Sequence, residues 1–486
     1  MRKISIDPIT RLEGHGRIDI FLDGEGNVAN TYLVIPELRG FEKFAEGRRV
    51  EELTDITPRI CGVCPEAHHM ASVKACDAVY HVEVPPTAKK IRELFYSAFY
   101  VADHAVHFYI LAAPDFVLGP TAPVAERNIL GLIHKVGLEI GGRVIRCRGM
   151  AMDIIGALGG RKIHPLCALP GGVNKAITEE MRAQFEATAH ELIDFGLFSL
   201  QLFRDVVLAN KGYVDLILSD AFTMPTYYMG MVDEHNRTNF YDGQVRVVGP
   251  DGKELLKYSP QEYLSVVAER VEPWSYLKFP YLKAVGWKGL VPGKDSGVYQ
   301  ATPLSRLNAA DGLATPRAQE AYEEFYQTLG GKPVHHVLAT HWARLIELLY
   351  AAERLLELCT DPEITNPHVR NIPTATPDEG VGIVEAPRGT LTHHYTTDER
   401  GIVTRCNLIV GTTNNYAPIS IAVKKAAQGL IRKGQAITEG VLNQVEMAFR
   451  AYDPCFGCAT HILPGQMPLE VRIFDADGQL VEVLRR

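Results

Sequence analysis

The sequence predicts an α+β protein in which a mostly helical core bundle carries β-hairpins at its N-terminus and periphery. Two long runs of apolar residues recur with helical spacing. Three short alternating stretches each lead into a turn sequence. With 486 residues, the chain is long enough to bury a sizeable core in one large domain or in two or three ordinary ones.

The N-terminal region predicts the first hairpin. Residues 17–22 (RIDIFL) alternate between apolar and polar side chains, residues 23–26 (DGEG) favour a turn, and residues 30–35 (NTYLVI) return. Pro36 ends the second strand, because proline cannot donate a backbone hydrogen bond.

Two segments predict long helices. Residues 85–87 (PPT) open the first, and its apolar positions fall at helical spacing over five turns: Ile91, Leu94, Phe95, Ala98, Val101, Ala102, Ala105, Phe108 and Tyr109. Asp103 and His107 lie four residues apart on another face of this helix. Residues 342–358 repeat the pattern with leucines and alanines.

Two further regions predict β-structure. Residues 225–300 are rich in Gly, Pro and Tyr and include a hairpin pattern at 244–252, which favours a β-rich excursion over an independent domain. Residues 469–474 and 479–484 flank the turn sequence 475–478 (DADG) and predict a last hairpin.

Composition excludes several functional classes. A formal charge of −8 argues against a nucleic-acid surface. No apolar run approaches the roughly 18–20 residues that span a membrane, and residues 1–7 do not resemble a signal peptide. Five of the nine cysteines are scattered singly, so we expect no disulfide framework and a reducing, cytoplasmic location. An enzyme exported with the signal of a partner would have the same cysteine usage.

Two Cys-x-x-Cys pairs lie at opposite ends of the chain. Cys61 and Cys64 precede His68, and Cys455 and Cys458 precede His461. Thiolates three residues apart can bind one metal, and two such pairs could form a four-thiolate site. The pairs are about 390 residues apart, which is unusual for structural zinc but does not exclude it. A redox role explains one pair only, and an iron–sulfur cluster suits four thiolates equally well.

The residues around both pairs resemble the two signatures of the large subunit of nickel–iron hydrogenases. These are residues 59–68 (RICGVCPEAH) and 453–461 (DPCFGCATH). The resemblance extends along the chain through residues 7–15 (DPITRLEGH), 39–42 (RGFE), 386–389 (APRG) and 411–415 (GTTNN). Length and C-terminal motif are most similar to the soluble, cofactor-coupled hydrogenases. The quinone-site subunit of respiratory complex I shares this fold but lacks the cysteine pairs, so the cysteines favour a metal-bearing enzyme.

The resemblance implies the nickel–iron hydrogenase large-subunit fold over residues 1–461, reversible heterolytic cleavage of H2, and a nickel–iron centre. Cys61 and Cys455 would be terminal nickel ligands. Cys64 and Cys458 would bridge to an iron that carries carbon monoxide and cyanide.

Further residues take roles by the same resemblance. Arg388 would lie over the open metal position, oriented by Asp103 and Asp453. Glu13 would relay protons from a nickel-bound thiolate. The remaining matches fall into two groups, a magnesium site formed by Glu42, His461 and a backbone carbonyl near Leu408, and residues surrounding the ligands, namely His68, Pro387 and Thr412.

The family also implies partners. The five single cysteines provide no set for an iron–sulfur cluster in this chain, so an iron–sulfur small subunit is implied. The resemblance to the soluble types implies a diaphorase or a heterodisulfide-reductase-like subunit beyond it. The sequence itself shows no dinucleotide-binding fingerprint. A nickel chaperone and a maturation protease are expected, and the protease would remove the C-terminal extension, residues 462–486.

Overall fold

The computed structural model describes residues 2–459, 470–474 and 480–485. Its α-helices are α1 Phe41–Ala45, α2 Leu53–Ile56, α3 Pro65–Val79, α4 Pro86–Val106, α5 Ala113–Val117, α6 Ile129–Val136, α7 Leu138–Gly159, α8 Glu179–Phe203, α9 Lys211–Leu218, α10 Tyr263–Val266, α11 Pro303–Ala309, α12 Pro316–Thr328, α13 Thr340–Thr360, α14 Gly411–Asn414, α15 Tyr416–Leu430, α16 Glu439–Arg450 and α17 Phe456–Ala459.

The strands form small sheets rather than one continuous sheet. They are β1 Arg2–Ile6, β2 Arg17–Leu22, β3 Val28–Val34, β4 Ala168–Leu169, β5 Gly172–Val173, β6 Tyr227–Val232, β7 Gln244–Val248, β8 Glu254–Tyr258, β9 Val267–Val271, β10 Lys278–Leu282, β11 Tyr299–Gln300, β12 Glu379–Ala386, β13 Gly389–Thr397, β14 Val403–Ile409, β15 Glu470–Phe474 and β16 Leu480–Arg485. The strand orders are β1-β2-β3, β4-β5, β11-β6-β7-β8, β10-β9, β12-β13-β14 and β15-β16. The predicted α+β fold is confirmed.

The helical core is built around α13, which packs against α8, α4, α11 and α12. The apolar stripe predicted on α4 faces this core, and its residues from Ile91 to Ala105 are almost fully buried. Each fully buried large apolar side chain contributes about 1.5–3 kcal/mol to folding. The helix is buried on its other faces as well, so the core also encloses polar side chains such as Asp103 and His104.

The end of α4 differs from the prediction. The α-helix stops at Val106, and a π-helical turn follows over His107–Ala112. Such turns are rare and occur frequently at functional sites. Here the turn begins at the histidine that lies four residues after Asp103.

The N-terminal hairpin is present as β2 and β3, but it is part of a three-stranded sheet. β1 pairs with β2 in an antiparallel register that joins Ile4 to Ile20. Sequence analysis did not predict β1, because this edge strand is short and mostly exposed. The final hairpin was predicted correctly and is formed by β15 and β16.

The region 225–300 contains strands β6 to β11 and packs onto the sheet formed by β12, β13 and β14. Its buried residues share a second hydrophobic cluster with Val381 and Ile383 of β12 and Ile409 of β14. The β-rich segment therefore rests on the sheet that leads into the 386–389 motif.

Helix α3 lies directly on strand β12, and glycine makes this approach possible. A Cβ atom added to Gly382 would lie 2.2 Å from the carbonyl oxygen of Ala71, and one on Gly380 would lie 2.4 Å from the backbone nitrogen of Val79. The helix that follows Cys64 and the strand that precedes Arg388 are thereby held together. Among the described helices, none is both long and apolar enough to cross a lipid bilayer.

Candidate metal centre

Three cysteines from opposite ends of the chain meet in the interior. Cys61 ends a 3-10 helix, and Cys64 is the residue before α3, whose first position is Pro65. Cys455 reaches them because it forms an isolated β-bridge with Glu13. The three sulfur atoms lie within 4.8 Å of one another, and all three residues are buried.

The sulfur geometry fits a shared metal ion better than a disulfide. The Sγ atoms of Cys61 and Cys455 are 3.1 Å apart, whereas a disulfide bond is about 2.05 Å long. A small cavity of about 10 Å³ adjoins the sulfurs and is lined in part by His68, Arg388 and Thr412. Buried, convergent thiols are suitable ligands for a soft metal centre. The side chain of Cys458 lies outside the described residues, although its backbone belongs to α17.

Arg388 projects from the turn between β12 and β13 and is held by two carboxylates. Its Nη1 lies 2.9 Å from Oδ2 of Asp103, and its Nη2 lies 2.8 Å from Oδ2 of Asp453. Burial opposes the charge of Arg388, yet Asp103 and Asp453 hold the guanidinium pKa well above its usual value. Cys64 and Cys455 raise the pKa of Arg388 further, because negative charge on their sulfur atoms stabilises the nearby guanidinium cation.

Asp103 and Arg388 each retain a polar atom without a partner among the described residues. These atoms are Oδ1 of Asp103 and Nε of Arg388. Burial raises the pKa of Asp103, while the charge of Arg388 acts in the opposite direction. Unsatisfied buried polar atoms are rare in native proteins, and at this position they fit a site that receives a further polar or charged group.

Asp453 lies in a tight turn just before Cys455 and has a φ angle of +52°. Nδ1 of His107 lies 2.9 Å from its Oδ1 atom. Burial lowers the pKa of His107 well below its usual value, and the charges of Arg344 and Arg388 act in the same direction. Asp453 therefore lies within ion-pair distance of both Arg388 and the first residue of the π-helical turn, while its Oδ2 atom and Nδ1 of His107 form no hydrogen bond among the described residues.

Glu13 contacts the thiol of Cys455 directly. Its Oε2 atom accepts hydrogen bonds from Sγ of Cys455, at 3.0 Å, and from the backbone nitrogen of Gly457, at 2.8 Å. A Cβ atom at residue 457 would lie 2.5 Å from Oε1 of Glu13, so glycine makes room for the carboxyl group. Burial is the main cause of the raised pKa of Glu13, and the nearby Cys61 adds to it.

Glu42 is buried at the second expected cation site. Its Oε1 atom accepts a hydrogen bond of 2.8 Å from the backbone nitrogen of Leu408, and Nζ of Lys278 lies 3.5 Å from Oε2. Burial raises the pKa of Glu42 to about 7. The described contact of Leu408 thus involves its N–H group, whereas the sequence analysis assigned its carbonyl. His461 lies outside the described residues.

The other predicted residues surround the cysteines. Oγ1 of Thr412 accepts a hydrogen bond of 3.0 Å from the backbone nitrogen of Cys455. Nδ1 of His68 lies 3.1 Å from Nε2 of His393, which continues through its Nδ1 atom to the hydroxyl of Tyr395 at 2.6 Å. The carbonyl of Pro387 accepts a hydrogen bond from the buried Arg306.

Three contributors were missed or left without a role by the sequence analysis. Arg39, which was noted only as part of a motif, donates to the carbonyls of Ile60 and Gly457 and so ties both cysteine segments together. His107 was placed near Asp103 but given no role, and its spacing of four residues was the available signal. Lys278 has no local sequence signal, because only the fold brings it to Glu42.

Comparison with known proteins identifies the family. A family model described as nickel-dependent hydrogenase matches residues 39–128 and 183–461, and a HoxL-like model matches residues 3–38. An F420-non-reducing hydrogenase iron-sulfur subunit of Archaeoglobus profundus is 50% identical over 485 residues, covering 100% of both chains. The NAD-reducing hydrogenase HoxS subunit beta of Cupriavidus necator is 38% identical over 99% of each chain.

The fold leads to the same family. The crystal structure of an NAD+-reducing NiFe-hydrogenase in the H2-reduced state superposes with a TM-score of 0.89 and 38% identity, covering 95% of this chain and all of that chain. Sequence and fold agree over nearly the whole length. This chain belongs to the nickel-dependent hydrogenase family, as its catalytic large subunit.

Proposed function

We propose that Cys61, Cys64, Cys455 and Cys458 hold a nickel–iron centre and that this centre performs reversible heterolytic cleavage of H2. The convergence of three buried sulfur atoms beside the guanidinium of Arg388 carries this proposal. Nickel is supported by the family, and an iron with carbon monoxide and cyanide ligands by the resemblance of both cysteine motifs. When bound, the centre splits H2 into protons and electrons.

The protein supplies a fixed positive charge and a proton acceptor. Arg388 presents the charge at the cavity, and Asp103 and Asp453 prevent its planar group from turning away. Glu13 accepts a hydrogen bond from Cys455 and is therefore placed to take a proton from that sulfur. We assign Arg388 and Glu13 to these two separate tasks.

We also propose magnesium at Glu42, with His461 and the Leu408 carbonyl as further ligands. A buried carboxylate, a carbonyl oxygen and water molecules suit this hard cation. The burial of the Glu42 carboxyl group supports this position, although its Oε1 atom already accepts a hydrogen bond from the backbone nitrogen of Leu408. The ammonium group of Lys278 lies 3.5 Å from the same carboxylate, so magnesium would have to share or displace it.

Electrons leave through a partner. The relatives are named as subunits of multi-subunit hydrogenases, and an iron–sulfur small subunit follows from that organisation. We propose a cytoplasmic complex that passes electrons to a soluble acceptor through a diaphorase or heterodisulfide-reductase-like subunit. A nickel chaperone would load the metal before maturation.

The C-terminal extension is proposed to be a maturation peptide. The match to the nickel-dependent hydrogenase model ends at residue 461, immediately before residues 462–486. Cleavage after His461 by the maturation protease would free the segment that carries Cys455 and Cys458 to close over the metals. The intact mass of active protein tests this idea, since a fully active chain that ends at Arg486 would show that no cut is needed.

Metal analysis of the purified complex tests the assignment itself. We expect close to one nickel per chain together with hydrogen-dependent dye reduction. Zinc in place of nickel, without hydrogen-dependent activity, would establish a structural zinc protein instead. A chain without either metal would resemble the metal-free electron-transfer homologues.

Replacement of Arg388 by lysine is expected to leave nickel bound and to slow turnover by about 100-fold or more, because preorganised donors and charge stabilise a transition state. Lysine keeps the charge but loses the planar fork that contacts both carboxylates. Nickel content and hydrogen-dependent dye reduction measure the result. Full activity in the lysine variant would reduce Arg388 to a structural neighbour of the site.

A further inference from the structure

The backbone that carries Arg388 is fixed by an unusual set of buried donors. Each of the four successive carbonyl groups of residues 385–388 accepts a hydrogen bond from a buried side chain. Tyr96 and Tyr100 bind the first carbonyl, Arg306 binds the second and third, and Asn415 binds the fourth. The backbone of this loop is therefore fixed by contacts that do not involve the side chain of Arg388.

Arg306 is the centre of this arrangement. It lies in α11, is completely buried, and forms two contacts with Glu347 of α13, at 2.6 and 2.7 Å. Its Nη1 atom lies 3.2 Å from Glu385 and donates to the carbonyl of Ala386 at 2.9 Å, while Nη2 donates to the carbonyl of Pro387 at 3.1 Å. One guanidinium thus joins two carboxylates to the two residues that precede Arg388.

The same network extends to α4, the helix whose Asp103 binds the guanidinium group of Arg388. Oε2 of Glu347 lies 2.9 Å from Nε2 of His104 in α4. His104 is the neighbour of Asp103, whose carboxylate binds the guanidinium of Arg388. The helices α4, α11 and α13 therefore link the backbone that precedes Arg388 to the carboxylate that binds its side chain.

We propose that Arg306 is a positioning residue that sets the placement of the Arg388 guanidinium over the metal cavity. The proposal rests on the role proposed above for Arg388 and adds the device that fixes its backbone. Arg306 itself does not face the reacting atoms, because its donors are occupied by Glu347, Glu385 and two carbonyl groups. Its effect on turnover is therefore exerted through Arg388.

Lysine at position 306 provides the informative change. It keeps a positive charge for Glu347 and Glu385, but a single ammonium cannot reproduce the planar fork that also serves two carbonyl groups. The carbonyls of Ala386 and Pro387 would lose donors, and the loop would relax. A displacement of about 1 Å at a catalytic group can slow a reaction by about 100-fold.

The chain offers a closely matched control in Arg92. This residue is also completely buried, pairs with both oxygens of Asp77, and donates to the carbonyls of Leu169 and Gly172. It does not contact the loop around Arg388. The Arg92→Lys variant should therefore lose stability in the same way as Arg306→Lys without a comparable loss of turnover.

The experiment compares both variants in the complete complex with its small subunit. We expect similar losses of thermal stability and unchanged nickel content. Arg306→Lys should lower kcat by about 10- to 100-fold with little change in the KM for H2, whereas Arg92→Lys should keep nearly full turnover. Equal turnover in the two variants would overturn the proposal.

Two further measurements separate positioning from a general structural effect. Amide hydrogen exchange within residues 385–391 should accelerate in Arg306→Lys and not in Arg92→Lys. In an Arg388→Lys background, the Arg306→Lys change should cause little additional loss of kcat, since residues that act as a unit are not additive. An undiminished loss in that background would show that Arg306 acts elsewhere and would overturn the proposal.

A failure of the proposed role of Arg388 is recognised separately. It appears as full activity in Arg388→Lys alone, whatever the behaviour of Arg306→Lys. In that case, amide exchange tests whether Arg306 positions the loop. Accelerated exchange within residues 385–391 supports it, and unchanged exchange overturns it.

Discussion

The Cys455→Ser variant is expected to lose the nickel–iron centre and with it all hydrogen-dependent activity. Serine can still donate to Glu13, and its backbone nitrogen can still donate to Thr412, so the local fold has reason to persist. What changes is the ligand atom, because a hard oxygen replaces a soft sulfur and binds this kind of centre poorly. Nickel analysis and dye reduction by the purified complex measure both consequences.

Cys147→Ser is the control for this change. Cys147 is also buried, but it lies in α7 and belongs to no group of potential metal ligands among the described residues. This variant should retain nickel and activity. Serine at Cys61, Cys64 or Cys458 should behave like serine at Cys455. Normal nickel content and hydrogen uptake in the Cys458→Ser variant would refute the four-thiolate assignment.

The Glu13→Gln variant is expected to retain its metals and to lose at least about 100-fold in turnover, the scale of a missing acid–base group. Glutamine keeps the shape of the side chain and an oxygen that can accept from the backbone of Gly457. It removes the group that can take a proton from the sulfur of Cys455. Exchange between H2 and deuterated water should decrease together with turnover.

Glu353→Gln provides the matched control for the loss of a buried carboxyl group. Glu353 also accepts hydrogen bonds from backbone nitrogen atoms, those of Arg317 and Ala318, but it lies on α13 and belongs to no group of potential metal ligands among the described residues. Its replacement should leave isotope exchange intact. If exchange is also unchanged in Glu13→Gln, protons leave the site by another route.

Several elements could be predicted because their information is local. The apolar stripe of α4 follows from helical periodicity, and the hairpins β2–β3, β7–β8 and β15–β16 follow from alternation and turn residues. Local patterns failed where pairing or helix register depends on distant parts of the chain. β1 is defined by its partner β2, and the π-helical turn at His107 carries no distinct hydrophobic period.

The candidate site shows the same division. Two Cys-x-x-Cys motifs with their flanking residues predicted the family and the general chemistry correctly, because such short motifs hold the side chains that can bind a metal. The tertiary structure decided their convergence, since the β-bridge between Glu13 and Cys455 brings the C-terminal motif to the N-terminal segment.

The resemblance named Asp103 and Asp453 as the groups that orient Arg388, but only the tertiary structure showed how they contact it and that Arg306 contacts the adjoining backbone. Asp103, Asp453 and Arg306 come from three distant segments, and sequence spacing contains no information about the directions of their donor and acceptor atoms. Those directions arise only when buried polar groups must satisfy one another in the packed interior. The sequence by itself therefore predicted which groups take part in the proposed chemistry, and packing decided where each group points.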